Sequence, residues 1–506
     1  MAPEQHRAAS ATNGGTNPTI AIIGCGFGGI AAAIKLLESG RDDFLLFEKA
    51  GSLGGTWRDN TYPGCGCDIP AHLYSFSFAP HAGWTRTYAA QGEILAYVRR
   101  VAGRHGVERK VLFDTEIVAA SWDETAGTWR LTARDGREFT PRVVIAATGA
   151  LHVPNIPPFP GLQTFAGPAF HSARWRHDVD LAGKRVAVIG TGASAIQFVP
   201  EIAPLVGRLH LFQRSPPWVL PRNNRPISRF ARAAAARVPL LRRLWRAIHY
   251  WRAEAIAIGF TMRPKKMGSW QKKSDAFMRR IIKDKSLADK LMPMYTLGCK
   301  RVLISDDFYA TMTRDNVELV CDPIREVGPA GIVTADGVER PVDVIIHATG
   351  FRPFNLTESV RVSGRGGRLL AEEWRGGPEA FFGVAAAGYP NFFMLMGPNS
   401  ALGHNSIIFM IEVQVRYILQ CLKWLEGPGS GGRTVEVRED VQRAFNAALR
   451  EKIAGSVWGR EKTPWRLPCT SWYVHESGKN HVLWPGFSLA YWWALRRADR
   501  RHFRIA

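Results

Sequence analysis

The sequence predicts an α/β protein built from two dinucleotide-binding, Rossmann-like units, the second inserted into the first. A strand, a glycine-rich turn, a helix and a second strand follow one another in the same plan twice along the chain, and two further apolar strands each run into Thr-Gly. At 506 residues the chain also exceeds one ordinary core, so two or three domains are expected.

In the first unit Thr19–Ile23 reads as a buried strand that enters Gly24-Cys25-Gly26-Phe27-Gly28-Gly29. A helix runs on through Glu38, and a second strand, Phe44–Phe47, ends at Glu48. In the second unit Arg185–Ile189 enters Gly190-Thr191-Gly192-Ala193-Ser194-Ala195. A helix then runs through Ile202, and a partner strand, Arg208–Phe212, ends near Arg214. Gly24, Gly26 and Gly29, and in the second unit Gly190 and Gly192 with Ala195 third, would let the backbone approach a pyrophosphate. The helix start then offers its unpaired N–H groups.

The further strands Val143–Ala147 and Val342–His347 run into Thr148-Gly149 and Ala348-Thr349-Gly350. Stiff proline segments follow each, Pro154-Asn155-Ile156-Pro157-Pro158 and Phe351-Arg352-Pro353. Residues 1–150 and 355–506 are therefore read as one discontinuous domain, and residues 151–354 as the inserted one.

The end of each second strand separates the ligands. Glu48 and Arg214 each lie 24 positions after the first glycine of their turn. A carboxylate there accepts hydrogen bonds from a ribose with free hydroxyls, which suits FAD. A guanidinium there suits a 2′-phosphate, which suits NADPH.

The net charge of +22 is concentrated. Arg222 to Lys290 holds 19 Lys and Arg against four acids. Leu241, Leu244, Trp245, Ile248 and Trp251 recur there at helical spacing, with Arg242, Arg243, Arg246 and Arg252 between them. This is read as a solvated helical insertion, about 222–300, packing over the NADPH cleft. Weak peripheral contact of 222–290 with an anionic membrane is the alternative, and no nucleic-acid partner is expected.

No run of 18 apolar residues suggests a membrane span, and Met1–Asn17 is polar, without the apolar stretch of a secretion signal. The seven cysteines are scattered without a CxxC. That pattern points to a reducing cytoplasm, and it argues against zinc and against disulfide-reductase chemistry. Cys65-Gly66-Cys67 lacks a partner pair, so no metal is expected.

The stretch Gly54-Gly55-Thr56-Trp57-Arg58-Asp59-Asn60-Thr61-Tyr62-Pro63-Gly64-Cys65-Gly66-Cys67-Asp68 resembles the fingerprint [A/G]-G-x-W-x4-[F/Y]-P-[G/M]-x3-D of type I Baeyer–Villiger monooxygenases at every fixed position. The family's second fingerprint, F-x-G-x3-H-x3-W-[P/D], is matched by Phe165, Gly167, His171 and Trp175. Arg176 departs from its last position. The resemblance implies a flavoprotein in which NADPH reduces FAD, O2 adds to the flavin C4a carbon, and the anionic peroxide attacks a ketone to give an ester or lactone. Arg301 aligns with the family's active-site arginine and Asp68 with the carboxylate that holds it. Lys300 would assist Arg214 at the 2′-phosphate, while Thr56 and Trp57 belong to the flavin side. Phe165, Gly167, His171 and Trp175 would sit at the interdomain linker, with a packed linker histidine as the other reading of His171. Trp472 and Tyr473 would line the substrate end. The helix beginning near Ile407, after the Gly397–Ser406 turn, would point its N-terminus at the flavin. Oxidation of sulfur or nitrogen remains the alternative reaction. A basic membrane- or nucleic-acid-associated protein on a flavoprotein scaffold is the alternative of a different class.

Overall fold

The computed structural model describes residues 17–263, 266–353, 356–427, 434–459 and 471–506. The polar lead before Asn17 and the domain join at 354–355 lie outside the described residues.

Ten strands form two parallel sheets: β1 (Ile20–Ile23), β2 (Phe44–Phe47), β3 (Val111–Leu112), β4 (Val143–Ala146), β5 (Ala169–His171), β6 (Arg185–Ile189), β7 (Arg208–Phe212), β8 (Val317–Val320), β9 (Val344–His347) and β10 (Phe392–Met394). The first sheet has the order β10-β4-β1-β2-β3 and the second β8-β7-β6-β9-β5. Strands such as Ile20-Ala21-Ile22-Ile23 are buried along their whole length, as a parallel sheet covered on both faces requires. The first sheet takes strands from both sides of the segment that builds the second. The two expected strand–turn–helix–strand units are present, with α1 (Phe27–Glu38) and α2 (Ala195–Ile202) as their crossover helices. β4 and β9 are shorter than expected, ending at Ala146 and beginning at Val344.

An antiparallel unit built on Ile117–Asp123 and Thr128–Ala133 covers one face of the first sheet, with Trp122 and Trp129 packed against Ile23, Val144 and Ala146. The other face carries α1.

The basic segment folds into α3 (Arg229–Arg237), α4 (Pro239–Ala257) and α5 (Met267–Ile281). Their packing departs from the expected solvated insertion over the NADPH cleft. One Nη of Arg246 donates to the carbonyls of His72 (3.3 Å), Leu73 (3.2 Å) and Ser75 (2.8 Å), and Trp245 lies against the His72 ring. These contacts seat α4 on the flank of the first sheet's unit, because a buried guanidinium needs carbonyl acceptors and this turn supplies three. α5 faces the other way, with Ser274 Oγ donating to the Val219 carbonyl at 2.7 Å. The insertion therefore spans both units.

α6 (Ile407–Leu422) begins where expected. It packs on α1 and on α7 (Ser488–Leu495), and Ser406 Oγ caps it by accepting from Ile408 N at 3.3 Å. Cys25, Cys65, Cys67, Cys321 and Cys421 are free thiols, whereas Cys299 is disulfide-bonded, a bond the scattered spacing did not foretell. No helix among the described residues is long and apolar enough to cross a membrane, and no described cluster of His, Cys, Asp and Glu could hold a metal ion.

Candidate active site

The turns after β1 and β6 line one shared cleft of about 1310 Å3. Each turn presses against the end of the neighbouring Thr-Gly strand. Gly24 (φ +103°) and Gly190 (φ +108°) adopt a backbone open to glycine, and a Cβ would stand 2.6 Å from the carbonyl oxygens of Ala147 and Ala348 respectively. Gly26 precedes α1 and Gly192 lies just before α2, both on the cleft wall. Gly29 sits inside α1 and Ala195 starts α2, buried.

At the end of β2, buried Glu48 accepts from Cys25 N at 3.0 Å and from Ala50 N at 3.1 Å. Arg58 also holds it at 2.8 Å, while donating through Nε to Asp59 at 2.8 Å. Arg58 was missed in the sequence. Its only signal was its place among the variable positions of the first fingerprint, ten residues beyond Glu48. Thr56 and Trp57 form a short helical turn on the same wall, with the Trp57 indole N–H donating to Tyr74 Oη at 3.2 Å.

Across the cleft, Arg214 and Lys300 lie close enough to repel. Burial first, and the Arg214 charge second, push the Lys300 amine below its ordinary range. Lys300 donates to Ser215 Oγ at 2.7 Å, and neither cation has a carboxylate partner among the described residues. Two neighbouring cations without a counter-ion suit a bound phosphate. The opposite cleft end, with its glycine cradle and a buried carboxylate, suits an adenosine diphosphate moiety with free ribose hydroxyls. The residues present thus fit FAD and NADPH.

Between these ends Arg301 meets Asp68 in a two-point contact, Nε to Oδ2 at 2.7 Å and Nη2 to Oδ1 at 2.6 Å. Both side chains are recessed on the cleft wall, 31% and 24% accessible. Burial alone would raise the Asp68 carboxyl, but the Arg301 charge and its two hydrogen bonds outweigh that and hold it below the usual carboxylate range. The same carboxylate pushes the guanidinium further up, so the cation is permanent. The turn carrying Arg301 is pinned by the Trp458 indole, which donates to the Gly298 carbonyl at 2.8 Å. Burial pushes the Tyr473 hydroxyl up to about 12, against the opposing pull of the Arg301 charge. Trp472 packs at a tilt against Tyr473 with ring centres 4.7 Å apart and also lines the cleft.

The second fingerprint does not reach the cleft wall. Phe165 packs under the second sheet, and beside Gly167 a Cβ would meet the Asp343 carbonyl at 2.3 Å. His171 is buried, its Nδ1 accepting from Ala173 N at 3.1 Å and its ring edge-on to Phe351 in the crossing segment. Burial holds its pKa down to about 4, so it is neutral at neutral pH. Trp175 and Tyr62 both pack on Phe198 in α2, at 5.2 and 5.9 Å, so the two fingerprints meet on that helix. The departing Arg176 points to the surface and pairs with exposed Asp178.

Comparison with known proteins agrees with this geometry. The flavin-binding monooxygenase-like family profile matches residues 17–365. A Baeyer-Villiger monooxygenase of Pseudomonas aeruginosa is 45% identical over 483 residues, which cover 95% of this chain and 89% of that protein. The solved structure of oxidized steroid monooxygenase bound to NADP superposes with a TM-score of 0.84 at 30% identity, covering 97% of this chain and 99% of the other. OTEMO in complex with FAD and NADP superposes with a TM-score of 0.86 at 26% identity, covering 97% and 100%. The chain belongs to the flavin-binding monooxygenase-like family, among its Baeyer–Villiger monooxygenases.

Proposed function

We propose that this chain, with FAD and NADPH, uses O2 to convert a small-molecule ketone into an ester or lactone. The observation that carries this reading is the two-point Arg301–Asp68 contact on the wall of a cleft whose ends fit the two nucleotides. Flavin reduced by NADPH supplies the activated oxygen when bound. The chain's own residues then have distinct tasks. Arg301 places a permanent positive charge where negative charge gathers as oxygen is transferred. Asp68 fixes the plane of that guanidinium through both of its oxygens. Arg214 and Lys300 hold the 2′-phosphate, and Glu48, itself fixed by Arg58, takes the ribose of FAD. Trp472 and Tyr473 shape the side from which the ketone enters.

In this reading residues 1–150 and 355–506 make the FAD domain and 151–354 the NADPH domain. Support comes from the strand membership of the two sheets. The cytoplasmic location in this reading is supported by the five free thiols and opposed by the Cys299 disulfide. The test is direct. Purified protein carrying flavin is given NADPH and a panel of cyclic and linear ketones and sulfides, and the products are identified by mass spectrometry. Ester or lactone formed in step with NADPH loss supports the proposal. Sulfoxide without ester would replace it with the heteroatom reading.

A further inference from the structure

The outward face of α4 is apolar, which is unusual for the solvent side of a helix packed on a folded core. Leu240, Leu244, Ile248 and Trp251 follow one another along that face at helical spacing, and they are 70, 51, 38 and 58% exposed. Exposed Arg243 and Arg252 flank the stripe. The inward face is occupied by other residues: Trp245 and Arg246 on the His72–Ser75 turn, Tyr250 on Phe409, and buried Glu254.

A second helix extends the apolar surface. Glu254 accepts from Ser488 Oγ at 2.6 Å and from Ser488 N at 3.2 Å, bringing the start of α7 against α4. From there Leu489 and Trp493 project into solvent, 41 and 59% exposed, and the Arg496 guanidinium lies 3.5 Å over the Trp493 ring. Helices α3 and α4 together hold seven arginines and a single carboxylate, Glu254, which is buried. The surface is thus aliphatic and aromatic at its centre, basic at its edges and free of exposed acids on α3 and α4.

We propose that this face docks on the surface of an anionic lipid membrane. Leucine, isoleucine and tryptophan at the centre suit the boundary between headgroups and acyl chains, and the arginines at the edges suit lipid phosphates. The charge pattern disfavours a second copy, which would bring two arginine-rimmed faces together. A nucleic acid would engage the arginines and leave the aliphatic stripe in water. The proposal rests on this surface alone and is independent of the reaction in the cleft.

The experiment is flotation of the flavin-loaded protein with vesicles of phosphatidylcholine, or of phosphatidylcholine with an equal share of phosphatidylglycerol. It is run at low salt and at about 0.5 M NaCl, where surface charge is largely screened. Wild type is expected to float with the anionic vesicles, and to do so less at high salt. Replacing Leu244 and Trp251 with serine together should lower the partition coefficient at least ~10-fold through lost apolar burial. Arg243→Gln and Arg252→Gln should each lower it about fivefold, on anionic vesicles only. Flavin content and NADPH oxidation in buffer should stay unchanged in all of them. If the double serine variant loses flavin, Trp493→Ser on α7 decides instead. The proposal fails if wild type does not float with anionic vesicles at low salt, or if the serine variants float as well as wild type. It also fails if the protein is a dimer by light scattering that the serine variants dissociate, or if it binds DNA through Arg243 and Arg252 without floating.

Discussion

Removing the Arg301 charge should separate the two halves of the reaction. A unit charge about 4 Å from a developing anion is worth about 4 kcal/mol at the effective dielectric of a partly open protein site. Losing one preorganised donor of this kind costs about 10²–10³ in kcat. The Arg301 side chain is 31% accessible, so water screens part of this, and the lower end of that range is expected. Arg301→Ala should therefore make ester about 100-fold more slowly, while anaerobic reduction of its flavin by NADPH stays near wild type. Residual NADPH oxidation should appear as hydrogen peroxide. Arg301→Lys keeps the charge but cannot make both contacts to Asp68, so its loss should be smaller. Asp68→Ala should uncouple mildly, because the cation survives without its two-point support at 2.6 and 2.7 Å. The assay follows NADPH, peroxide and ester in one reaction. An Arg301→Ala enzyme that yields ester per NADPH as wild type does would refute the role given to this pair.

Three other outcomes follow from the structure. Arg214→Ala should weaken use of NADPH about 10- to 100-fold and leave NADH nearly unchanged, since a charge-assisted contact is worth about 1.5–3 kcal/mol. Equal losses with both coenzymes would place Arg214 elsewhere. Glu254 should make stability acid-sensitive. Burial opposes its charge, but the adjacent His404 ring, 3.5 Å away, and bonds from Ser488 and Asn405 hold its carboxyl at about 2, against an ordinary 4.5. A depressed folded-state value means the contribution, about 3 kcal/mol, is whole above pH 4.5 and lost as pH falls toward 2. The temperature of flavin release, measured against pH, should fall less steeply in that window for Glu254→Gln than for wild type. On one helix Arg246→Gln should lower the release temperature by several degrees, because three buried carbonyls lose their donor. Its neighbour Arg243→Gln should leave it unmoved. Similar effects at both positions would mean that α4 is not seated as described.

What could be read in the chain depended on the range of the signal. The two crossover units were legible to the residue at several ends, such as Phe44–Phe47 and Arg208–Phe212, because strand, glycine turn and helix are contiguous. The Arg301–Asp68 contact joins residues 233 positions apart, and no local pattern could pair them. Only the likeness of both stretches to one family did so. Arg58 was overlooked for a related reason, since an arginine among variable positions carries no pattern until its carboxylates, Glu48 and Asp59, are seen beside it.

The basic segment resisted for a different reason. Leu244, Trp245, Ile248 and Trp251 recur at helical spacing, and periodicity alone treats them as one buried stripe. In the structure the stripe is divided: Trp245 turns inward onto His72, whereas Leu244, Ile248 and Trp251 face solvent. Arginines are divided in the same way, Arg246 being buried against three carbonyls and Arg243 and Arg252 exposed. When apolar and basic residues alternate around the whole helix, their arrangement does not say which side faces the core. What orients α4 is long-range: the bare carbonyls of the His72–Ser75 turn, and the serine and asparagine groups that converge on Glu254. Once those polar contacts fix the inner face, Leu240, Leu244, Ile248 and Trp251 are left exposed on the outer one. The exposed stripe is thus a consequence of how the buried polar groups are satisfied, and it is this stripe that the vesicle experiment probes.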